Sequence, residues 1–221
     1  MCPWWIIGFS LMLFVPIPFD FIAYKFASQS LIVPLGSMSI VFTLLFSQII
    51  TGEMVSRREW GAVLIIITGC VVSTITGSHY QRVLNTELLL GLLEEAAFLS
   101  LLSCVIAMAI VCFLVTRLKP AEGTWLHKIQ PVCTAYMPAA FGGIQNIFFK
   151  SVTILTADPV DAFTHFPVYL CITVVITLAV LQLRWINKGL AQFKATLFLP
   201  CYNTSLILLS TALGRFVFLF A

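Results

Sequence analysis

The stretch FDFIAYKFASQSLIVPLGSMSIVFTLLFSQIIT, Phe19 to Thr51, decides how the rest of the sequence is read. It sets a carboxylate, Asp20, in an apolar run and breaks at Ser28-Gln29-Ser30. It then enters a second apolar run through Leu31-Ile32-Val33-Pro34. The same entry, a hydroxyl residue, Leu, two apolar residues and Pro, returns at Thr196-Leu197-Phe198-Leu199-Pro200. One such segment in each half predicts a duplicated membrane protein, and the acid points to what that protein handles.

Composition supports the membrane reading. Hydrophobic residues make up 60% of the chain and charged residues 10%, with a mean hydropathy of +1.04. A soluble domain carries about a quarter charged residues, so this chain cannot cover itself with polar surface. The net charge of +3 comes without a Lys/Arg cluster, and no nucleic-acid partner is expected. Among the seven cysteines, Cys70, Cys104, Cys112, Cys133, Cys171 and Cys201 fall in apolar runs, with no CxxC or Cys/His spacing. That pattern predicts small buried apolar residues in place of a zinc site or disulfide framework. No cofactor is expected. The N-terminus lacks a basic leader and a small-residue cleavage site, so it reads as a retained helix.

A spanning helix needs about 20 mostly apolar residues. Seven segments qualify: Trp4–Phe26, Leu31–Thr51, Trp60–Gly77, Ala96–Thr116, Pro131–Leu155, Pro167–Asn187 and Thr196–Phe220. Their runs are continuous and do not alternate, which disfavours strands. The expected fold is an all-α, polytopic helix bundle forming a single membrane domain, 1–221. A first repeat portion would cover residues 1–116 and a second 131–221.

Orientation follows from the basic residues at span ends. One side receives Arg57, Arg58, Arg117, Lys119, Lys128, Arg184, Lys188 and Lys194; the other receives Lys25, Arg82, Lys150 and Arg215. The first side is expected to be cytoplasmic, with Met1 on it. All five tryptophans fall at those same ends or loops, as an interfacial belt would. Asp20, Glu87, Glu94, Glu95, Asp158 and Asp161 lie toward the far side. Two explanations stand: scattered loop acids, or a mildly acidic mouth that concentrates cations. In this topology the two Leu-x-x-Pro segments start on opposite sides, which makes the repeats inverted, a common construction of secondary transporters.

Phe26-Ala27-Ser28-Gln29-Ser30-Leu31-Ile32-Val33-Pro34-Leu35-Gly36 resembles the equivalent stretch of the NIPA family of magnesium transporters, within the drug/metabolite transporter superfamily. So does Trp4-Trp5, a helix length upstream. Gly52-Glu53 followed by Trp60-Gly61-Ala62 and the apolar run to Gly69 is similar to the wider superfamily's loop-and-helix pattern. Gln182-Leu183-Arg184-Trp185-Ile186-Asn187-Lys188-Gly189-Leu190, then Phe193, Pro200 and Tyr202, is similar to the family's Gln-x-x-Tyr-Leu-Asn-Lys-Ala-Leu…Phe…Pro-x-Tyr pattern. Lys150 resembles an intramembrane lysine of the family. The resemblance implies a transporter with one further helix before the first of these segments and one after the last.

Asp20 is the candidate Mg²⁺ ligand. An ionised carboxylate at a helix centre costs about 2.5–3.5 kcal/mol on insertion scales, and less near an interface. Such a group faces a cavity, a partner or the headgroups. The resemblance implies an acid at the position of Ile17, so here the acid is displaced by three residues, which keeps it on roughly the same helix face. Pro16 and Pro18 remove intrahelical hydrogen bonds beside it. Carbonyls freed at membrane depth are tolerated where they line protein or water. Mg²⁺ takes oxygen ligands and keeps several waters, which suits one carboxylate among carbonyls and amides. Lys150, expected at a similar depth, either pairs with Asp20 or snorkels to the interface. Gln182, Asn187 and Asn146 supply amide oxygens for a pathway or for helix–helix bonding. Pro34 and Pro200 mark the two repeat entries. Arg184, near the cytoplasmic end, argues mildly against a cation path there.

The reading these features favour is a transmembrane transporter of magnesium or another divalent cation, in the plasma or an endosomal membrane. Its partners would be the lipid bilayer, the cation and, in some forms, further copies of itself. Two alternatives remain. One is an organic metabolite carrier with Arg184 and Lys150 as anion contacts; the other is a truncated or non-transporting membrane scaffold. No nucleophile–base constellation stands in the loops, so an enzyme is not expected.

Overall fold

A computed structural model describes residues 7–8, 10–11, 15–27, 32, 35–36, 38–50, 56–76, 91, 95–118, 124–156 and 166–218. The helices among them are α1 (Pro16–Phe26), α2 (Met38–Ile50), α3 (Arg57–Thr76), α4 (Ala96–Arg117), α5 (Trp125–Leu155), α6 (Phe166–Gln192) and α7 (Ala195–Phe218). No strand occurs among the described residues. The protein is an integral membrane helix bundle. Bundles suit a bilayer because a helix satisfies its own backbone where no water is available.

Among the described residues three helices are long and apolar enough to cross a membrane: Ala96–Arg117, Phe166–Gln192 and Leu197–Gly214. Of the other expected spans, α1 and α2 are described over 11 and 13 residues. α3 contributes the shorter apolar helix Val63–Val72. α5 has 31 residues, about 46 Å of helix at 1.5 Å per residue, but its apolar run is interrupted by His127, Lys128, Gln130, Gln145, Asn146 and Lys150.

α5 also corrects a boundary. The sequence starts this segment at Pro131, whereas the helix begins at Trp125 and carries Pro131 and Pro138 inside it. Proline at a helix start is the common case. Here both rings are buried in the bundle, and neighbouring helices support the interrupted ladder. Pro16 and Pro18 occupy the first turn of α1. Val15 before them is helical, and its N–H reaches Leu11 O at 3.1 Å.

The bundle is built around α5, which packs against α7, α6, α4 and α1; α2 packs on α3 and touches α7. The inner face of α5 is made of small residues, with Ala135, Ala139, Ala140, Gly142 and Gly143 all buried. A Cβ on Gly142 would stand 2.6 Å from Gln182 Nε2 and 2.7 Å from Leu206 Cδ1. One on Gly143 would stand 3.1 Å from Leu209 Cβ. Small residues at such contacts let helix backbones approach, which is how association gains van der Waals energy where lipid is as apolar as leucine. Around this face, Phe98 and Val105 of α4 meet Ile147 and Leu213 in one apolar cluster. Ala135, Ile186 and Phe198 form another.

α6 and α7 form a tight helical hairpin. Phe193 N–H bonds Gly189 O at 2.9 Å, and Lys194 O accepts from Phe198 N–H at 3.0 Å. The turn presses the Phe198 ring onto Gly189, where no side chain fits. Outward positions such as Ile106, Ile110 and Leu114 on α4, and Ile176 and Val180 on α6, are exposed apolar groups, as lipid contact requires.

Gly142→Val should therefore force apart α5, α6 and α7 and cost about 1–3 kcal/mol, the usual range for overpacking. Thermal unfolding in detergent checks this, with Gly61→Ala as a control, because nothing lies within 4 Å of a Cβ there. Equal melting temperatures for Gly142→Val and the parent would contradict the packing described.

Candidate functional site

Two polar features lie within the bundle. The first is where α1 ends against α5. The helix stops at Phe26 because Ala27 turns extended, at φ −129° and ψ 153°, after its N–H bonds Ala23 O at 2.8 Å. A helix end leaves its last four carbonyls without intrahelical partners. Lys150 of α5, 8% exposed, supplies them. Its Nζ donates to Tyr24 O and to Ala27 O, the latter at 3.3 Å. An ammonium at a helix C-terminus also meets the negative end of the macrodipole.

Aromatic packing holds the pair of helices at this point. The Phe149 ring lies 6.2 Å from Phe21, edge to face, and 5.7 Å from Tyr24. Both geometries are favourable for aromatic quadrupoles.

Asp20 sits one turn before Tyr24 on the same helix and is exposed. The expected Asp20–Lys150 ion pair is not formed. Among the described residues Lys150 spends its protons on backbone carbonyls, because the frayed end of α1 offers acceptors directly beside Nζ. Snorkelling is not what happens either, since the ammonium is buried.

The second feature is a polar seam shared by α5, α6 and α7. Asn146 Nδ2 donates to Ser210 Oγ at 3.0 Å, and Gln182 Nε2 donates to Tyr202 Oη at 2.6 Å. Gly142 makes the second bond possible, because the absent side chain is the space the Gln182 amide occupies. Two further atoms, Gln145 Oε1 and Thr211 Oγ1, are buried without a hydrogen-bond partner among the described residues. Buried polar oxygens of that kind are rare in folded proteins. With the carbonyls around Lys150 they add to the oxygen atoms of the interior.

The other sequence candidates are dispersed. Asn187 is exposed near the end of α6 and makes no contribution to the seam. Pro200 is half-buried inside α7, where it denies the carbonyl of Thr196 its helical partner. Arg184 is exposed, so its charge is kept out of the interior. Pro34 lies outside the described residues, as do Trp4, Trp5, Gly52, Glu53 and the stretch around Glu87. Sequence reasoning named Asn146 and Gln182 for their amide oxygens, whereas the bonds they form use the amide N–H groups, and it missed Gln145, Ser210 and Thr211. Adjacent Gln145-Asn146 in an apolar run was a usable signal. Ser210 and Thr211 carried none, because hydroxyl residues are ordinary in membrane helices, where they bond their own backbone as Thr134 and Ser151 do. Among the described residues no group of three or more His, Cys, Asp or Glu could hold a metal ion.

The family described as Magnesium transporter NIPA matches residues 1–218. The probable magnesium transporter NIPA1 of Arabidopsis thaliana is 27% identical over 203 residues, covering 90% of this chain and 58% of the relative. The probable magnesium transporter of Candida albicans is 24% identical over 202 residues, covering 90% and 53%. Human magnesium transporter NIPA3 is 22% identical over 197 residues, covering 88% and 47%. The chain thus spans about half the length of these curated relatives. No solved structure matches it.

The seam's strongest bond is testable by a double-mutant cycle on Gln182→Leu and Tyr202→Phe. Interhelical hydrogen bonds in membranes couple by about 0.6 kcal/mol on average, and this short, buried one should reach or exceed that in detergent unfolding. Strict additivity of the two changes would contradict it.

Proposed function

The chain belongs to the NIPA magnesium transporter family, and on that premise we propose that it moves Mg²⁺, or another divalent cation, across a lipid bilayer. The observation that carries the proposal is the family match along nearly the whole chain, residues 1–218. The geometry supports it at one point in particular. The end of α1 already holds a positive charge, the Lys150 ammonium, on carbonyl oxygens. Carbonyl oxygen is also what a hard cation takes as ligand.

Asp20, one turn away on α1, is the nearest acid in the helix and is the anionic ligand of this reading. A cation that keeps its inner waters needs little more than this: one carboxylate to attract it and fixed dipoles to replace outer-sphere water. Gln182 and Asn146, bonded to Tyr202 and Ser210, serve as fixed polar groups along the seam. The finer topology of this proposal has seven spans, inverted repeat portions and a cytoplasmic N-terminus in a plasma or endosomal membrane. The concentration of Arg and Lys on one set of helix ends supports it.

The test is flux into liposomes containing the purified full chain and a Mg²⁺-sensitive dye, alongside Ca²⁺ and a panel of organic metabolites. Mg²⁺ entry above empty liposomes is expected. Asp20→Asn should reduce it by about tenfold, the equivalent of losing about 1.4 kcal/mol from a charge-assisted contact. Entry of a metabolite without any divalent cation would overturn the proposal.

A further inference from the structure

A feature that the cation reading does not use lies between α4 and α5. A cavity of about 260 Å³ opens there, walled by Val105, Ala109 and Phe113 of α4 and by Met137, Ala140 and Ile144 of α5. Its lining is wholly apolar, so nothing in it recognises a polar solute.

The chemistry changes at its Phe113 end. The Arg117 guanidinium stands 5.0 Å over the Phe113 ring. Phe113 meets Trp185 of α6 edge to face at 6.0 Å and 70°. Lys188 Nζ in turn stands 4.3 Å over the Trp185 ring. Four side chains from two helices thus form a continuous rim of alternating cations and aromatic rings at one end of an apolar cavity. Among the described residues neither Arg117, which is exposed, nor Lys188, which is half-buried, forms an ion pair. Arg117 closes the last turn of α4 and is exposed.

We infer that this is a binding site for an anionic phospholipid of the surrounding membrane. One acyl chain fills the α4–α5 cavity, and the headgroup phosphate lies between Arg117 and Lys188. Each part of the lipid meets matching chemistry. Hydrocarbon enters the dry cavity. The glycerol region lies at Phe113 and Trp185, where aromatic side chains favour the membrane interface. The phosphate takes the planar guanidinium, whose donors suit its oxygens, and the ammonium beside it. Basic groups at a membrane surface attract anionic lipid through the same charge. The occupant is anionic because two cations, Arg117 and Lys188, flank the opening and form no ion pair among the described residues; a zwitterionic headgroup would bring its own ammonium against them.

The experiment is native mass spectrometry of the full chain released from detergent. It uses phosphatidylglycerol and phosphatidylcholine of identical acyl chains as the probes. Retained phosphatidylglycerol in preference to phosphatidylcholine is expected. Arg117→Gln and Lys188→Gln should each lower that retention about fivefold, as losing one basic group near the surface would. Ala109→Leu, which fills the cavity and leaves the rim charges in place, should lower retention of both lipids. Lys128→Gln, an exposed basic residue outside the rim, should leave it unchanged. No preference between the two lipids in the unaltered protein would overturn the inference without any variant being needed. An equal loss with Lys128→Gln would also overturn it, since that outcome marks non-specific charge. Neither result bears on cation flux, so this site and the transport proposal fail separately.

Discussion

In a bilayer every polar group has to find its partner within the protein, and α5 is where this chain meets that constraint. Its small residues bring α6 and α7 close enough for Gln182 and Tyr202 to bond across what would otherwise be a dry contact. Its Asn146 reaches Ser210 in the same way. Further along, Lys150 supplies protons to carbonyls that α1 abandons by ending inside the bundle. An apolar residue at that place would leave those carbonyls unpaired at a buried site, and each such group costs about 1–3 kcal/mol.

The same constraint explains why a positive charge and its acceptors meet inside the bundle. A helix that stopped at the membrane surface would have water for its carbonyls. α1 stops against a buried amine instead, so a positive charge and a set of oxygens share one place in the bundle. Among the described residues two other buried oxygens, on Gln145 and Thr211, have no hydrogen-bond partner. Arg184, which argued mildly against a cation path, is exposed on α6.

Much of the helical organisation was legible from hydropathy alone. α4, α6 and α7 begin and end close to their apolar runs, because such runs have no other stable form in lipid. α5 was misjudged at its start. Proline is normally a boundary, and only the close packing of its neighbours makes Pro131 an interior residue. Family membership was legible in combined motifs, especially Gln182 to Leu190 with Pro200 and Tyr202. The partner of Lys150 was not legible. Opposite charges at similar depth pointed to Asp20, whereas the acceptors are backbone atoms, whose availability depends on where a helix stops. Gln182 was seen as a polar group, but its bond depends on the missing side chain of Gly142, two helices' geometry that no local pattern encodes.

The most direct measurement of this account is thiol accessibility at the end of α1. Ala27→Cys, placed in the otherwise unaltered chain and in one carrying Lys150→Met, would be labelled in liposomes with a small maleimide. Loss of the Lys150 donor should free the α1 end and raise the labelling rate severalfold, while Lys150→Arg, which keeps a donor, should hold it near the parent value. Equal rates with and without the Lys150 ammonium would contradict the claim that α5 holds α1 by its carbonyls.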